Sequence, residues 1–225
     1  MPVSAKSGSQ ACVADQLDPA HDCPLCPRLQ AFRDGWRQRE PSWFNGPVPS
    51  FKGSNPHVLI VGLAPGLRGA NRTGRPFTGD FAGDLLYQML AEFGLSNGTF
   101  QARADDGLVL TGAAITNAVR CVPPENKPTP LEIKTCQPFL ERTVAHHTTI
   151  TALLALGKIA HDSVLRTFGQ RLSQNAFAHG AKHTLKPGLT LYDSYHCSRY
   201  NTNTGVLTTA MFRSVFQAMR DDGVF

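Results

Sequence analysis

The sequence predicts an α/β protein in which helices cover both faces of a parallel sheet. Short apolar runs alternate with segments of helical apolar spacing along the 225 residues, which is the pattern of such a sheet. The chemically unusual stretches, at 62–80, 117–121, 157–158 and 195–205, each follow an apolar run. Ligands gather where parallel strands end, so these stretches are expected to meet at one sheet edge.

The individual elements follow from local patterns. The run VLIVG at 58–62 is apolar throughout and leads into turn residues, as a buried strand does. The last segment has apolar residues three to four positions apart, as in a helix packed on a core. The predicted strands are Val58–Gly62, Ala113–Val119, Ile150–Leu156 and Leu189–Tyr195. The predicted helices are Pro27–Arg39, Phe81–Phe93, Leu131–His146, Lys158–Phe168 and Val206–Asp221.

Composition narrows the class of protein. With 41% hydrophobic and 17% charged residues, and no long apolar run, the chain reads as globular with no membrane partner. Residues 1–21 are predicted to be a flexible tail that lacks the apolar stretch of a secretory signal, and 22–225 one domain. We expect a monomer. The net charge of +5 is compatible with a polyanionic partner but does not establish one.

The stretch GLAPGLRGANRTGRPFTGD, residues 62–80, is rich in glycine and arginine. Glycines let a backbone approach a ligand closely, and arginines suit phosphate. The spacing matches neither the dinucleotide fingerprint nor the phosphate loop, because Pro65 and Pro76 interrupt it and Gly74 is followed by Arg75-Pro76. A plain turn-rich connection is the alternative.

Four cysteines form two pairs: Cys23 with Cys26, and Cys121 with Cys136. No strand precedes the first pair, which argues against a thioredoxin-like site. A four-thiolate metal site remains; the wide second spacing fits zinc less well than a 4Fe–4S cluster, without excluding zinc. Buried thiols that bind nothing are the alternative.

Together GLAPG, NRTGRPFTGD, TNAVRCVPPENKPTP and YHCSRYNTNTGVLT, with the cysteine spacing, resemble the uracil-DNA glycosylase superfamily, specifically its B-type, or family 5, iron–sulfur branch. The resemblance covers about residues 22–220. It implies a three-layer α/β/α fold around a four-stranded parallel sheet. It also implies hydrolytic release of uracil from DNA in cytoplasmic base-excision repair, and a 4Fe–4S cluster held by Cys23, Cys26, Cys121 and Cys136.

The chemistry of base removal assigns roles within these motifs. A flipped-out base needs an aromatic face, for which Phe77 is the candidate, and an amide to read its edge, for which Asn117 is the candidate. His196 is the candidate donor to the departing base. The expected substrate-binding residues are Gly62, Ala64, Pro65, Gly66, Phe77, Asn117 and His196. Without the motifs, Phe77 could be core, Asn117 a strand end and His196 an ordinary loop residue.

Water activation falls to Asp80. Where other branches have a polar residue after the strand, this chain has Ala64, as the B-type branch does, and the resemblance then assigns the water to the aspartate that ends the loop. Asp80 also precedes a helix, where aspartate is a favoured N-cap. Asp80, His196 and Asn117 are therefore the predicted catalytic residues. Because the motif has Cys197 in place of the superfamily's commoner proline, its turn is less constrained.

The segment after His196 is predicted to contact DNA. Asn203-Thr204-Gly205 is expected to open the last helix and offer a phosphate site. The predicted DNA-binding residues are Arg72, Ser198, Arg199, Tyr200 and Asn201. Relatives of the B-type branch accept deaminated purines, which extends the expected substrates to bases such as hypoxanthine. The alternatives are a non-catalytic, DNA-binding or redox-sensing iron–sulfur protein, and a hydrolase of free nucleosides.

Overall fold

Strands and helices alternate along residues 17–225, the part of the chain that the computed structural model describes. The strands are β1 Phe51–Lys52, β2 Ser54–Gly62, β3 Ser96–Asn97, β4 Val109–Asn117, β5 Ala152–Leu156, β6 Lys182–Lys186 and β7 Leu189–Ser194. The helices are α1 Pro27–Arg39, α2 Ala70–Thr73, α3 Phe81–Glu92, α4 Pro130–His146, α5 Lys158–Thr167, α6 Arg199–Asn203 and α7 Thr209–Asp221. None of the described helices is both long and apolar enough to cross a membrane.

The sheet has the order β1-β4-β2-β5-β7-β6, and β3 pairs with β4. Its centre is four parallel strands, β4, β2, β5 and β7, which confirms the predicted parallel sheet. The short strands β1, β3 and β6 are antiparallel additions that were not predicted. Two-residue strands carry no readable periodicity, and β6, KHTLK, is a mostly exposed edge strand without an apolar run.

Both faces of the sheet are covered by helices, so the described residues form one mixed α/β domain. Along β2, Val58 and Ile60 point into a cluster with α3 and α7, whereas Leu59 and Val61 point into a cluster with α4 and α5. All four side chains are inaccessible to solvent. A strand buried on both faces reads as a continuous apolar run, which is the reason the sequence predicted β2 correctly.

A third, smaller cluster lies beyond the carboxyl end of β4. Here Leu29 of α1 packs with Val119 and Phe139, and with two of the cysteines. Nearby, the buried Arg120 donates to Asp18 at 2.8 Å and to Ser50 at 2.8 Å. The predicted tail therefore includes residues that the domain holds, namely Asp18 and also His21, whose Nε2 is 3.1 Å from the Phe44 carbonyl oxygen. Residues 1–16 lie outside the described part of the chain. The boundary at residue 22 stays a prediction.

The start of the last helix was predicted wrongly. Helix α7 begins at Thr209, where the Thr208 side chain caps it by accepting from the Met211 amide at 3.1 Å. Asn203 instead ends the separate short helix α6, so Asn203-Thr204-Gly205 does not form the N-terminus of α7. Leu207 is fully buried but lies in the connection, and its apolar character mimicked an extra helical turn.

The four parallel strands end at one edge of the sheet. Gly62 of β2 is the register partner of Asn117 of β4, and Leu156 of β5 is the partner of Ser194 of β7. The loops that follow these residues therefore start side by side, as the sequence predicted.

Candidate active site

A cavity of about 620 Å³ opens at the carboxyl edge of the parallel strands. This size is usual for small-molecule sites. Its walls come from the loop after β2 and the start of α3, from the end of β4 and the 3-10 turn that follows it, and from the turn after β7. Most of the predicted site residues line it, namely Ala64, Pro65, Gly66, Phe77, Asp80, Asn117, His196, Ser198 and Arg199. The predicted substrate-binding and DNA-binding residues that do not line it are Gly62, Arg72, Tyr200 and Asn201.

Gly62 shapes the cavity from beneath by having no side chain. A Cβ at this position would lie 2.7 Å from Phe77 Cζ and would collide with Asn117 Oδ1. The glycine thus lets the ring and the amide approach the same point of the backbone. Asn117 is only 2% exposed, and within residues 17–225 its Oδ1 has no hydrogen-bond partner.

Phe77 adopts an unusual backbone conformation, with φ of +51°. A left-handed bulky residue is strained by about 1–3 kcal/mol, so its neighbours must hold it. Arg75 donates to Thr78 Oγ1 at 2.8 Å and forms a two-pronged ion pair with Asp106 at 2.7 Å. The Tyr87 hydroxyl donates to the Pro76 carbonyl at 2.9 Å. These contacts fix the residues on both sides of Phe77.

Asp80 caps helix α3, as one of the two predicted roles requires. Its Oδ1 accepts from the Gly83 amide at 3.4 Å. A Cβ added at Gly66 would lie 2.7 Å from Asp80 Oδ2, and one added at Gly69 would come closer still. Burial raises the pKa of Asp80, and the amides of Ala82 and Gly83 oppose that rise. Two glycines of the loop are therefore needed for the carboxylate to fit.

His196 faces the cavity from the opposite strand end. Its ring stacks on Phe77 with 5.9 Å between centroids and 28° between planes. Burial lowers the pKa of His196 to about 4, so the imidazole is neutral at physiological pH. No group within residues 17–225 forms a hydrogen bond to the ring. The side-chain amide of Asn201 donates from Nδ2 to the His196 carbonyl oxygen at 2.8 Å.

The predicted DNA-contacting residues occupy the rim or lie outside it. Ser198 caps α6 by accepting from the Asn201 amide at 3.3 Å. Arg199 places its guanidinium 5.2 Å from the centroid of the Phe81 ring, Tyr200 is 74% exposed, and Arg72 is exposed on α2.

Seven lining residues were missed from the sequence: Leu63, Arg68, Ala70, Gly79, Phe81, Ala82 and Asn126. Arg68 lies within the glycine- and arginine-rich stretch, so the composition of that stretch was a usable signal. Asn126 ends a short 3-10 turn after β4, with φ of +56°. Its preceding Pro-Pro signalled a turn, but no local pattern shows that this turn reaches the cavity.

The structure brings the four predicted cysteine ligands together beside this site. Cys23, Cys26, Cys121 and Cys136 line one small cleft between the start of α1 and α4, and none forms a disulfide. Burial raises the pKa of Cys26 to about 11 and that of Cys121 to about 12. On the side of the cavity, Ala64 packs against the small hydrophobic cluster that contains Cys121 and Cys136.

A second group of potential ligands consists of His161 in α5, His183 in β6 and Asp193 in β7. Hydrogen bonds already occupy its inward-facing atoms. His161 Nδ1 is 2.8 Å from Asp193 Oδ1, and His183 Nε2 is 3.0 Å from Asp193 Oδ2. His161 Nε2 faces the Asn175 carbonyl at 2.9 Å. Both nitrogens of His161 face acceptors, so a doubly protonated His161 ring completes these hydrogen bonds without a metal ion.

Fold and site together define an α/β protein with an aromatic- and amide-lined cavity at the carboxyl edge of its sheet. Residues 49–220 match the Uracil DNA glycosylase superfamily, and the chain belongs to that family, as the motifs predicted. The chain is 47% identical over 199 residues to a type-5 uracil-DNA glycosylase of Thermus thermophilus, covering 86% of this chain and 90% of the relative.

Two further relatives carry the same name. The type-5 uracil-DNA glycosylase of Mycobacterium bovis is 42% identical over 206 residues, and the match covers 87% of this chain and 76% of the relative. That of Pyrobaculum aerophilum is 38% identical over 205 residues, covering 89% of each.

The raised pKa of Asp80 predicts how stability changes with pH. A carboxyl whose pKa is higher in the folded state contributes stability below its unfolded pKa, near 3.8, and loses it as pH rises through the folded pKa. Asp80→Asn removes the buried charge and keeps a capping oxygen. We expect this variant to be at least as stable as the parent at about pH 7, with the difference vanishing below about pH 4. Urea unfolding across this range measures it.

Asp84→Asn is the matched control, because it removes one charge from the exposed side of the same helical turn. A loss of stability in Asp80→Asn at neutral pH would contradict the argument.

Proposed function

We propose that this protein hydrolyses the N-glycosidic bond of uracil in DNA and leaves an abasic site. The observation that carries the proposal is the unpartnered, buried Asn117 Oδ1 in the cavity. An unsatisfied buried acceptor costs about 1–3 kcal/mol, and a ligand that donates to it recovers that cost. The names of the relatives supply the substrate: uracil-DNA glycosylases at 38–47% identity.

The cavity suits one flipped-out pyrimidine. An enzyme that acts on a base takes it out of the duplex stack and reads its Watson–Crick edge. Phe77 offers a ring face that His196 partly covers, and the Asn117 amide offers one donor and one acceptor to the edge of uracil. The backbone from Gly62 to Gly66 passes close to the bound base because no side chain at Gly62 intervenes.

The sugar and the base, on the two sides of the breaking bond, develop opposite charges that must each be stabilised. As C1′–N1 breaks, the sugar becomes positive and the base negative. In the proposal Asp80 faces the sugar, stabilises its charge and orients the water whose hydroxyl joins C1′; the water's proton goes to solvent through the carboxylate. His196 faces the base and donates a hydrogen bond to its oxygen. A neutral imidazole, which the low pKa provides, can make that bond without transferring a proton.

DNA contacts complete the proposal. Arg68 and Arg199 line the cavity, and no salt bridge within residues 17–225 engages either. Together with the net charge of +5 they support binding to phosphates next to the flipped nucleotide. The proposed DNA-contacting residues are Arg72, Ser198, Arg199, Tyr200 and Asn201, and the proposed enzyme acts as a cytoplasmic monomer.

The proposed substrate range extends beyond uracil. Ala64 lines the cavity with a methyl group, so at this position no polar group selects against a larger base. Discrimination then rests on Phe77, Asn117 and His196, which is compatible with hypoxanthine.

We further propose that the four cysteines hold a 4Fe–4S cluster. The cleft that all four cysteines line supports one shared site. The wide spacing from Cys121 to Cys136 along the chain fits a zinc ribbon less well than a cluster in which each thiolate binds a different iron. When bound, the cluster supplies four iron–thiolate bonds that join the segment before α1 to β4's trailing loop and to α4.

The first test is base release from duplex oligonucleotides with one modified base, using the purified holoprotein. We expect an abasic site from the uracil strand and, more slowly, from the hypoxanthine strand, with an undamaged duplex as control. No release from hypoxanthine would contradict the wider range only. No release from any strand, despite binding to DNA, would overturn the proposed activity in favour of a non-catalytic iron–sulfur protein.

The second test separates Asp80 as a cap from Asp80 as a catalytic group. Asp80→Asn keeps the capping oxygen, so we expect normal folding and binding of uracil-containing DNA, but a single-turnover rate lower by about 10²–10⁴. His196→Ala should also be slow, with a smaller loss for bases that leave more readily. Asp84→Asn is the control. A full rate in Asp80→Asn would restrict Asp80 to capping and make Asn117 the candidate for placing the water.

The third test concerns the cysteines. We expect brown protein with about four irons per chain, and loss of iron on replacing any of the four ligands by serine. Cys197→Ser, which alters a fully buried cysteine outside the group, should keep its iron. Iron analysis and visible absorption measure both. A colourless protein with one zinc per chain and full activity would contradict the cluster.

A further inference from the structure

His196 is oriented through its backbone. Its ring stacks on Phe77 but has no hydrogen bond within residues 17–225. On its carboxyl side the chain is held by Asn201, which donates to the His196 carbonyl. It is also held by Cys197, whose thiol donates to the Ala82 carbonyl at 3.3 Å. The hold on the amino side must come from the residues that fix Tyr195.

His179 is the side chain that fixes Tyr195. The Tyr195 amide donates to His179 Nδ1 at 3.2 Å, and the two rings pack with centroids 5.1 Å apart. On its other side, His179 Nε2 is 3.2 Å from the carbonyl oxygen of Met211 in α7. His179 therefore links the end of β7 to the first turns of α7.

These two contacts define one tautomer of His179. Nδ1 receives an N–H and must carry a lone pair, whereas Nε2 faces a carbonyl and must carry the proton. The ring is therefore neutral, and burial, which lowers the pKa of His179, favours that state. The Ser194 hydroxyl, 3.4 Å from Nδ1, donates instead to the nearer Tyr195 carbonyl at 2.9 Å.

The segment that carries His179 is itself anchored under β7. Phe177 lies between the Tyr195 ring, at 6.0 Å, and the His161 ring, at 5.5 Å. The Gly180 amide donates to the Asp193 carbonyl at 2.9 Å. His179 is thus presented to Tyr195 from a fixed support.

We propose that His179 is a positioning residue for His196: by accepting the Tyr195 amide, it sets the backbone from which the His196 ring reaches the substrate base. This inference rests on the proposed role of His196. Small displacements of a catalytic group can cost about 100-fold in rate. Loss of this single hydrogen bond is therefore enough to lower the rate of base release. His179 itself does not line the cavity.

Two substitutions divide the contacts of His179. The oxygen of His179→Asn occupies the position of Nδ1 and can still accept the Tyr195 amide, but the bond to Met211 is lost. The amide of His179→Gln reaches the position of Nε2 and can still donate to Met211, but the acceptor for Tyr195 is lost. Each variant loses one hydrogen bond, so similar losses of stability are expected from both.

The rates distinguish positioning from general stability. We expect His179→Gln to lower the single-turnover rate of uracil release by roughly 10- to 100-fold with unchanged affinity for uracil-containing DNA. His179→Asn should stay close to the parent, and His146→Gln, at the exposed end of α4, is the control. Equal rates in the Asn and Gln variants would overturn the proposal.

A second readout does not depend on activity. In spectra of ring-labelled protein, His179→Gln should shift the His196 ring resonances and speed hydrogen exchange of the Tyr195 amide, whereas His179→Asn should do neither. Unchanged His196 resonances in His179→Gln would overturn the proposal. If the parent released no base while these shifts occurred, the proposed activity would fail and the positioning contact would stand.

Discussion

The cavity depends on the register between β2 and β4, which sets Gly62 directly beside Asn117. At that point the backbone must accept an aromatic ring and an amide on one side, and only a residue without a side chain allows it. The same requirement recurs a few residues further along the loop after β2, where Gly66 and Gly69 make room for the Asp80 carboxylate. The glycines of this loop thus serve close packing between protein groups as much as access for a ligand.

Burial acts on the two principal polar side chains with opposite effects on their pKa values. It raises the pKa of Asp80 and lowers that of His196, because in both cases desolvation disfavours the charged form. For the imidazole, neutrality suits a hydrogen-bond donor that keeps its proton. For the carboxylate, the amides at the start of α3 offset part of the cost of the charge. Asp80 therefore caps the N-terminus of α3, and the amides of that terminus in turn favour the ionised form of Asp80.

The parts of the fold that the sequence predicted well are those with a local pattern. Buried parallel strands appear as apolar runs, and Phe77, Asp80, Asn117 and His196 lie in recognisable motifs at their ends. The two-residue strands offered too few positions to read, and α7 was started too early because the buried Leu207 extends its apolar spacing. The groups that hold the site, such as Asp106 behind Phe77 and His179 behind His196, could not be found in this way. Their contacts join segments distant in sequence, and a lone aspartate or histidine has no signature.

The strand order β4-β2-β5-β7 also determines when the site can exist. The cavity is closed by contacts between Phe77 and His196, more than a hundred positions apart, and the turn that carries His196 is tied through His179 to Met211 in α7. During synthesis on the ribosome, the first strands can pair before these later segments emerge. A nascent chain would then hold its carboxylate and aromatic ring without the opposing histidine. In the proposed enzyme, the cavity is therefore completed only after translation has passed α7, so a partly made chain is not yet able to break bonds in DNA.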